Sequence, residues 1–399
     1  MRIGMMADVY KPHVSGITSH ISLNKRALEA AGHQVFVFTF GDPHYEDKEA
    51  NVVRSPGLPL SDTGYYFSLR YLKHARRQLQ TMDVVHVHHP FVSGRLALRY
   101  CRPYNIPVVF TNHTRYDLYA QAYLPILPDE VGNAFLHAYL VLFCREVDQV
   151  IAPSAGLMSV LRGFGVDAPI EVIPNGIDLS PFLSPARRVP RPALGFSEQD
   201  VVLVYVGRLG PEKNLTLLVR AFGGVQAAYP QARLLLVGDG PERDNLEDRV
   251  ARSGLEGKVH FAGMVEYGEL PGYLAAADVF VTASVTEVHP LSLIEALAAA
   301  LPAVGIDSPG VSDTIVDGVN GFLSPHDLAA YTAKLARIVA EGETRRRLSE
   351  QARKSSEMYA IERTSHLLEE RYQQLMQQPP HRRANRWQMA WHRWVDRVT

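Results

Sequence analysis

The stretch "DVFVTASVTEVHPLSLIEALAAALPAVGID", residues 278–307, decides the fold class. A valine-rich apolar run at 278–284 reads as a strand. The alanine- and leucine-rich segment at 290–300 reads as a helix, and 301–307 reads as a second strand. Strand, helix and strand in that order build a parallel crossover with helices packed on the sheet. The stretch also raises a chemical question. Glu287 follows the first strand, and Glu295 sits inside the apolar helix, where an unpaired carboxylate is costly. Pro290 stands between them near the helix start, a place that tolerates its missing N–H.

The rhythm extends outward from this unit. Strands read at "VVLVYVGRL", "ARLLLVGDG" and "VHFAGMV", with helices from about 214, at 241–252 and at 268–276. The first half repeats the pattern. Its strands are "RIGMMA", "HQVFVFTF", "DVVHVHH", "IPVVFTNH" and "QVIAPS", and its helices lie at 18–31, 65–80, 93–102 and 129–146. The prolines, glycine and arginines of 174–198 read as an interdomain linker. The expected architecture is therefore α/β, with two doubly wound Rossmann-like domains facing a cleft. Ligands of such open sheets bind outside the carboxyl ends of the strands.

Length and composition agree with a two-domain globular protein. The chain has 399 residues, 46% hydrophobic and 21% charged, with a net charge of −1. That balance gives no global attraction to nucleic acid, which is not expected as a partner. Cys101 and Cys144 make no disulfide framework and fit a reducing compartment. The N-terminus has no signal-peptide pattern, and no apolar run reaches the roughly 18 residues of a membrane span.

Two groups of residues suggest chemistry. In "GRLGPEKN", Arg208 and Lys213 stand five apart on a strand-to-helix turn. Two cations and a helix N-terminus can meet one anion there, a diphosphate above all, although a solvated basic loop has the same spacing. Glu287 and Glu295 are open to a similar choice. A buried carboxylate can accept hydrogen bonds from a vicinal diol such as a ribose, whereas two surface glutamates need have no joint role. In "HVHHPF", His86 and His88 share a strand face and could mimic a metal pair. No third ligand is evident, so no metal is expected.

The ordered set "GITSHISLNKRALEAAGHQVFVFT", "VIPNGID", "GRLGPEKN", "LLLVGDGP", "VHFAGMV" and "TEVHPLSLIEALAAALPAVG" resembles the retaining, nucleotide-sugar-dependent glycosyltransferases of the GT-B fold, family 4 type. The resemblance covers about 1–375. It implies an N-terminal acceptor-side domain at 1–185, a nucleotide-sugar-binding domain at 186–374, and a C-terminal segment at 375–399 packed back on the first. It implies that Arg208 and Lys213 bind the diphosphate, that Glu295 holds the ribose, and that Glu287 serves the donor sugar. His113 matches the active-site histidine beside the transferred sugar. Gly16 matches a glycine loop that approaches the phosphates. This chain has Ser15-Gly16 where the family has two glycines, which narrows the loop's conformational freedom. Met264 marks the backbone that meets the base edge. The donor is a nucleotide diphosphate sugar, and neither a cofactor nor a catalytic metal is expected.

One departure bears on the sugar. Relatives carry Glu-x-Phe-Gly-Leu where this chain has Glu287-Val288-His289-Pro290-Leu291. Backbone amides there meet the donor, and Pro290 removes one of them. His289 can compensate through its side chain.

The stretch "VHHPFVSGRLALRY...IPVVFTNHTRYDLY" is most similar to the subgroup that glycosylates diacylglycerol at the inner membrane face. That likeness points to transfer of a hexose, glucose from UDP-glucose, to a membrane lipid by a cytoplasmic, peripheral enzyme. GDP-mannose with a soluble, polyprenyl-linked or phosphoinositol acceptor is the alternative, and a GT-B sugar-nucleotide epimerase is another. Two segments suit an anionic membrane surface. Residues 64–78 read as an amphipathic helix with a Tyr65, Leu69 and Leu72 stripe. The tail 381–399 sets Trp387, Trp391 and Trp394 among arginines. Packing on the protein itself is the alternative for both.

Overall fold

The computed structural model describes residues 1–378 apart from 14, 43, 60–65, 69 and 119–128. The Trp-rich tail lies outside the described residues. The chain divides into two units: Met1–Gly176 together with the chain from Ile361 onward, and Ile177–Ala360. The boundaries expected at 185/186 and 374/375 therefore fall earlier, at 176/177 and 360/361.

Unit 1 contains β1 (Arg2–Met6), α1 (Gly16–Ala30), β2 (Gln34–Gly41), β3 (Val52–Pro56), β4 (Leu58–Pro59), β5 (Tyr66–Phe67), α2 (Lys73–Leu79), β6 (Val84–Val87) and α3 (Val92–Cys101). β7 (Val108–Thr111), α4 (Asp129–Cys144), β8 (Gln149–Ala152), α5 (Ala155–Gly163) and β9 (Ile170–Val172) complete its first segment. Seven strands pair in the order β3-β2-β1-β6-β7-β8-β9, all parallel. Strands covered on both faces read as near-continuous apolar runs, which is why β1, β6 and β7 were legible.

Unit 2 contains α6 (Ser180–Leu183), β10 (Val201–Val206), α7 (Leu215–Ala228), β11 (Ala232–Val237), α8 (Arg243–Arg252), β12 (Val259–Gly263), α9 (Leu270–Ala275) and β13 (Val279–Thr282). α10 (Leu291–Ala298), β14 (Ala303–Ile306), β15 (Gly321–Ser324), α11 (Leu328–Ala340) and α12 (Gly342–Ser356) follow. Six parallel strands run β12-β11-β10-β13-β14-β15. Residues alternate along β10 between two cores. Val201, Leu203 and Tyr205 belong to one, and Val202 and Val204 to the other. The period of two feeds both faces of the sheet.

The last helix, α13 (Ile361–Gln377), belongs to unit 1. Its Leu368, Tyr372 and Leu375 pack with Ile21 and Leu28 of α1.

Two readings are corrected. Residues 65–80 are not one helix: Tyr66–Phe67 form β5, and α2 starts only at Lys73. Tyr71, Ala75 and Leu79 are the buried set, while Leu72 is 42% exposed. Tyr71 stacks on Phe40 at 4.7 Å, which fixes the chain before the helix begins. The supposed linker 174–198 is mostly part of unit 2. Phe182, Leu194 and Phe196 enter its core, and buried Arg191 pairs with Asp278 at 2.9 Å.

Candidate functional site

In unit 2 the expected donor residues gather at the carboxyl ends of β10 and β13. After β10, Gly207 turns away and passes Gly238 so closely that a Cβ at Gly238 would lie 2.0 Å from the Gly207 carbonyl oxygen. A short turn over Pro211–Lys213 follows, and Asn214 enters α7 in the left-handed region at φ 53°. Both cations have carboxylate partners. The Arg208 guanidinium donates to both oxygens of Glu212 at 3.0 Å, and the Lys213 ammonium donates to Glu287 Oε1 at 2.7 Å.

The Lys213–Glu287 pair is mostly buried, at 20% and 19% side-chain exposure, while Arg208 is 58% exposed. Only the first pair is shielded enough to matter to stability. Burial pushes the Glu287 carboxyl up. The Lys213 ammonium, helped by Ser284, offsets this and holds the group below its usual range. Gly310 makes room for the Glu287 loop. It sits at φ 83°, and a Cβ there would lie 2.6 Å from the Val288 carbonyl.

Pro290 is the residue before α10, extended at φ −72° and ψ 118°, and no side chain caps this helix. First-turn N–H groups at such an end are left for an outside acceptor. Leu291 opens the helix. His289 is buried, and its ring packs edge-on against Tyr359 at 5.2 Å. Glu295, the fifth residue of α10, is 4% exposed and accepts a hydrogen bond from the Tyr267 hydroxyl at 3.0 Å. Burial pushes its carboxyl up to about 7, against the lowering effect of Tyr267. Met264, just past β12, is 79% exposed.

Tyr267 has no place in the sequence reading. Its sole signal there is its position three residues after Met264, and it reaches Glu295 across 28 positions of chain.

Gly16 and His113 lie in unit 1. Gly16 is the first residue of α1, and a Cβ there would meet nothing within 4 Å. Ser15 is the helix cap. Its side chain accepts from the Thr18 N–H, and the Thr18 side chain accepts from the Ser15 N–H. A serine in place of a second glycine thus starts the helix.

His113 follows β7, with its Nε2 3.0 Å from His88 Nδ1 and its ring 4.7 Å from that of His20. The imidazoles that come together are therefore His20, His88 and His113, and His86 of the expected pair is not among them. Nitrogen atoms of His20, His88 and His113 lie within 4.8 Å of one another, an arrangement able to hold a metal ion. Burial pushes all three below the usual histidine range, His20 to about 4, so they are neutral at pH 7. His86 is committed elsewhere. Its two ring nitrogens lie 2.6 Å from the Tyr372 and Thr111 hydroxyls, tying the sheet to α13.

Two α/β units, each built on a parallel sheet, are the architecture of the GT-B glycosyltransferases. Residues 14–181 match the family model described as Glycosyltransferase Family 4, and 187–355 match that of Glycosyl transferases group 1. The chain belongs to glycosyltransferase family 4.

An alpha-monoglucosyldiacylglycerol synthase of Streptococcus pneumoniae is 33% identical over 344 residues, covering 82% of this chain and 77% of that protein. The synthase of that name from Acholeplasma laidlawii is 30% identical, covering 81% and 84%. In fold, the chain is similar to a sucrose-phosphate synthase from Thermosynechococcus elongatus, with a TM-score of 0.75, 23% identity, and 94% and 99% of the two chains covered.

Proposed function

We propose that this chain transfers glucose from UDP-glucose to the free hydroxyl of diacylglycerol, with retention at the anomeric carbon and without a catalytic metal. The similarity to two alpha-monoglucosyldiacylglycerol synthases across most of the chain carries this reading. A further relative, a GDP-mannose-dependent alpha-mannosyltransferase of Mycobacterium tuberculosis, is 27% identical and keeps the mannosyl alternative in the test.

In the proposed reaction the bond from the anomeric carbon to the diphosphate breaks, and the acceptor oxygen bonds to that carbon on the same face. The acceptor proton passes to the departing phosphate oxygen. Arg208, Lys213 and the uncapped start of α10 stabilise the charge that builds on the leaving diphosphate. Diphosphate binding takes Lys213 from Glu287 and leaves that carboxylate for the sugar. Glu295 holds the ribose diol, Met264 and Leu291 line the nucleoside side, and Gly16 approaches the phosphates. His113 and His289 are assigned to the donor sugar. No helix among the described residues is long and apolar enough to cross a membrane. The similarity to the two lipid synthases supports the reading that the lipid is reached peripherally, from the cytoplasmic side.

The test offers UDP-glucose, UDP-galactose and GDP-mannose against diacylglycerol, phosphatidylinositol and soluble sugars, with products read by mass spectrometry. A glucosyl-diacylglycerol supports the reading. Products from GDP-mannose alone, or donor epimerisation without transfer, overturn it.

The raised Glu295 carboxyl gives a pH signature. The folded protein holds this proton more tightly than the unfolded chain. Burial of Glu295 therefore costs stability, increasingly as pH rises from 4.5 to about 7. Ribose binding favours the ionised form, so donor affinity should fall as pH drops below about 7, approaching tenfold per unit. Calorimetric titration with UDP should show this slope, and Glu295→Gln should remove it. An unchanged slope in the variant contradicts the ribose assignment.

A further inference from the structure

Three histidines from three separate elements of unit 1 meet at one point. His20 lies in the second turn of α1, His88 directly follows β6, and His113 comes just after β7. The His20 ring stands edge-on to His88 at 5.5 Å and to His113 at 4.7 Å, and His88 stacks on His113 at 5.3 Å. Among the described residues, this is the one group of three histidine, cysteine or acidic side chains whose ligand atoms come this close, all within 4.8 Å. A tetrahedral zinc ion holds its nitrogen ligands roughly 3.4 Å apart. His88 Nδ1 and His113 Nε2 are already 3.0 Å apart, so small ring rotations bring the set to that spacing.

Two further features point to a ligand. His88 is fully buried, and among the described residues its Nε2 has no hydrogen-bond partner. Such an atom is costly in the interior, and a bond from it to a cation removes the cost. Asn175 hydrogen-bonds the His20 side chain, as the outer partner of a metal-held imidazole commonly does. His86 takes no part, since both its nitrogens meet hydroxyls. Three imidazoles without a carboxylate select a borderline ion such as zinc over magnesium or calcium, which take oxygen ligands. His20 and His88 are buried, whereas His113 is half-buried. The ion therefore enters past His113 and keeps an open coordination position on that side.

We propose that His20, His88 and His113 form a zinc site whose occupation blocks transfer. The ion ties up His113, the imidazole assigned to the donor sugar, and so acts as an inhibitor and not as a catalyst. The block rests on that role of His113. The binding does not.

The full chain, freed of metal by a chelator, is titrated with zinc chloride by calorimetry. One zinc per chain is expected. Cobalt(II) in its place should give the intense visible absorption of a tetrahedral ion, and magnesium should displace neither. His20→Gln and His88→Gln should each weaken zinc binding by more than about a hundredfold, since even a residue behind a ligand is worth roughly 10–100-fold. Circular dichroism identifies the folded variants. Zinc bound at wild-type strength by a folded variant overturns the site. An octahedral cobalt spectrum in the wild type overturns it too, whatever the variants do.

Transfer is then measured in buffered free zinc, each chain against its own zinc-free rate. The wild type should lose activity at the concentration that fills the site, and His20→Gln should not. Filling without inhibition overturns the block. Absence of zinc-free transfer rejects the proposed function and leaves the binding result standing.

Discussion

Replacing Lys213 with alanine should lower turnover by about a hundredfold to a thousandfold, the loss typical of removing one preorganised group that stabilises leaving-group charge. Two effects combine. The departing diphosphate loses a compact cation, and Glu287 loses its partner at 2.7 Å. With Lys213 gone, burial acts on the Glu287 carboxyl with only Ser284 opposing it, so its pKa should rise from the lowered position it now holds. Lys213→Arg should not restore the rate, because a planar fork does not reproduce a point charge aimed along a short reach. The double variant Lys213→Ala/Glu287→Gln should lose less than the sum of its singles, as expected of residues in contact. Release of nucleotide diphosphate under saturating donor reads all three. Near-normal turnover in Lys213→Ala would falsify the diphosphate assignment.

Arg191→Ala should destabilise unit 2 by about 3–5 kcal/mol, the usual cost of removing one partner from a buried ion pair. The side chain is 5% exposed and makes four hydrogen bonds. It reaches the carbonyls of Ala276, Glu198 and Asp200 and the Asp278 carboxylate, all at 2.7–3.1 Å. Asp278 also accepts from the Val202 N–H at 2.8 Å, so the network joins the segment before β10 to β10 itself and to the start of β13. For a unit of this size the melting temperature should fall by roughly 6–20 °C. Urea unfolding followed by circular dichroism checks this, and a change within about 0.5 kcal/mol would mean that the segment is a linker after all.

Those two residues show what the sequence disclosed and what it hid. Lys213 was legible because a strand end, a turn and a helix start are contiguous in the chain, so spacing alone puts its charge at the end of the sheet. Glu287 and Glu295 were legible on the same ground. Arg191 was not, because the two partners that tie it into the sheet, Ala276 and Asp278, are 85 and 87 positions away and prolines around it mimic a linker. Tyr267 was hidden for the same reason, since nothing local marks a hydroxyl that will meet Glu295. The helix at 65–80 failed through register. The Tyr65, Leu69 and Leu72 spacing suited a helix, but burial of Tyr71, Ala75 and Leu79 sets the face that α2 turns inward. β15 went unread because, between Asp307 and Asp327, the apolar runs are short and broken by turn residues.

Histidine shows the reverse case. The strand period did place His86 and His88 on one face, with rings 4.3 Å apart. Their separate fates depend on Tyr372 from the last helix and His20 from the first, which no local pattern supplies.

The proposed glycosyl transfer with retention, through a unit-2 site built on Lys213, Glu287 and Glu295, is tested by a proton NMR time course of the chain with UDP-glucose and a short-chain diacylglycerol. The expected product is a glucosyl-diacylglycerol whose first-formed anomeric signal has the small coupling of an α-linkage, with UDP appearing mole for mole. A β-linked first product, or UDP released without glycolipid, would contradict it.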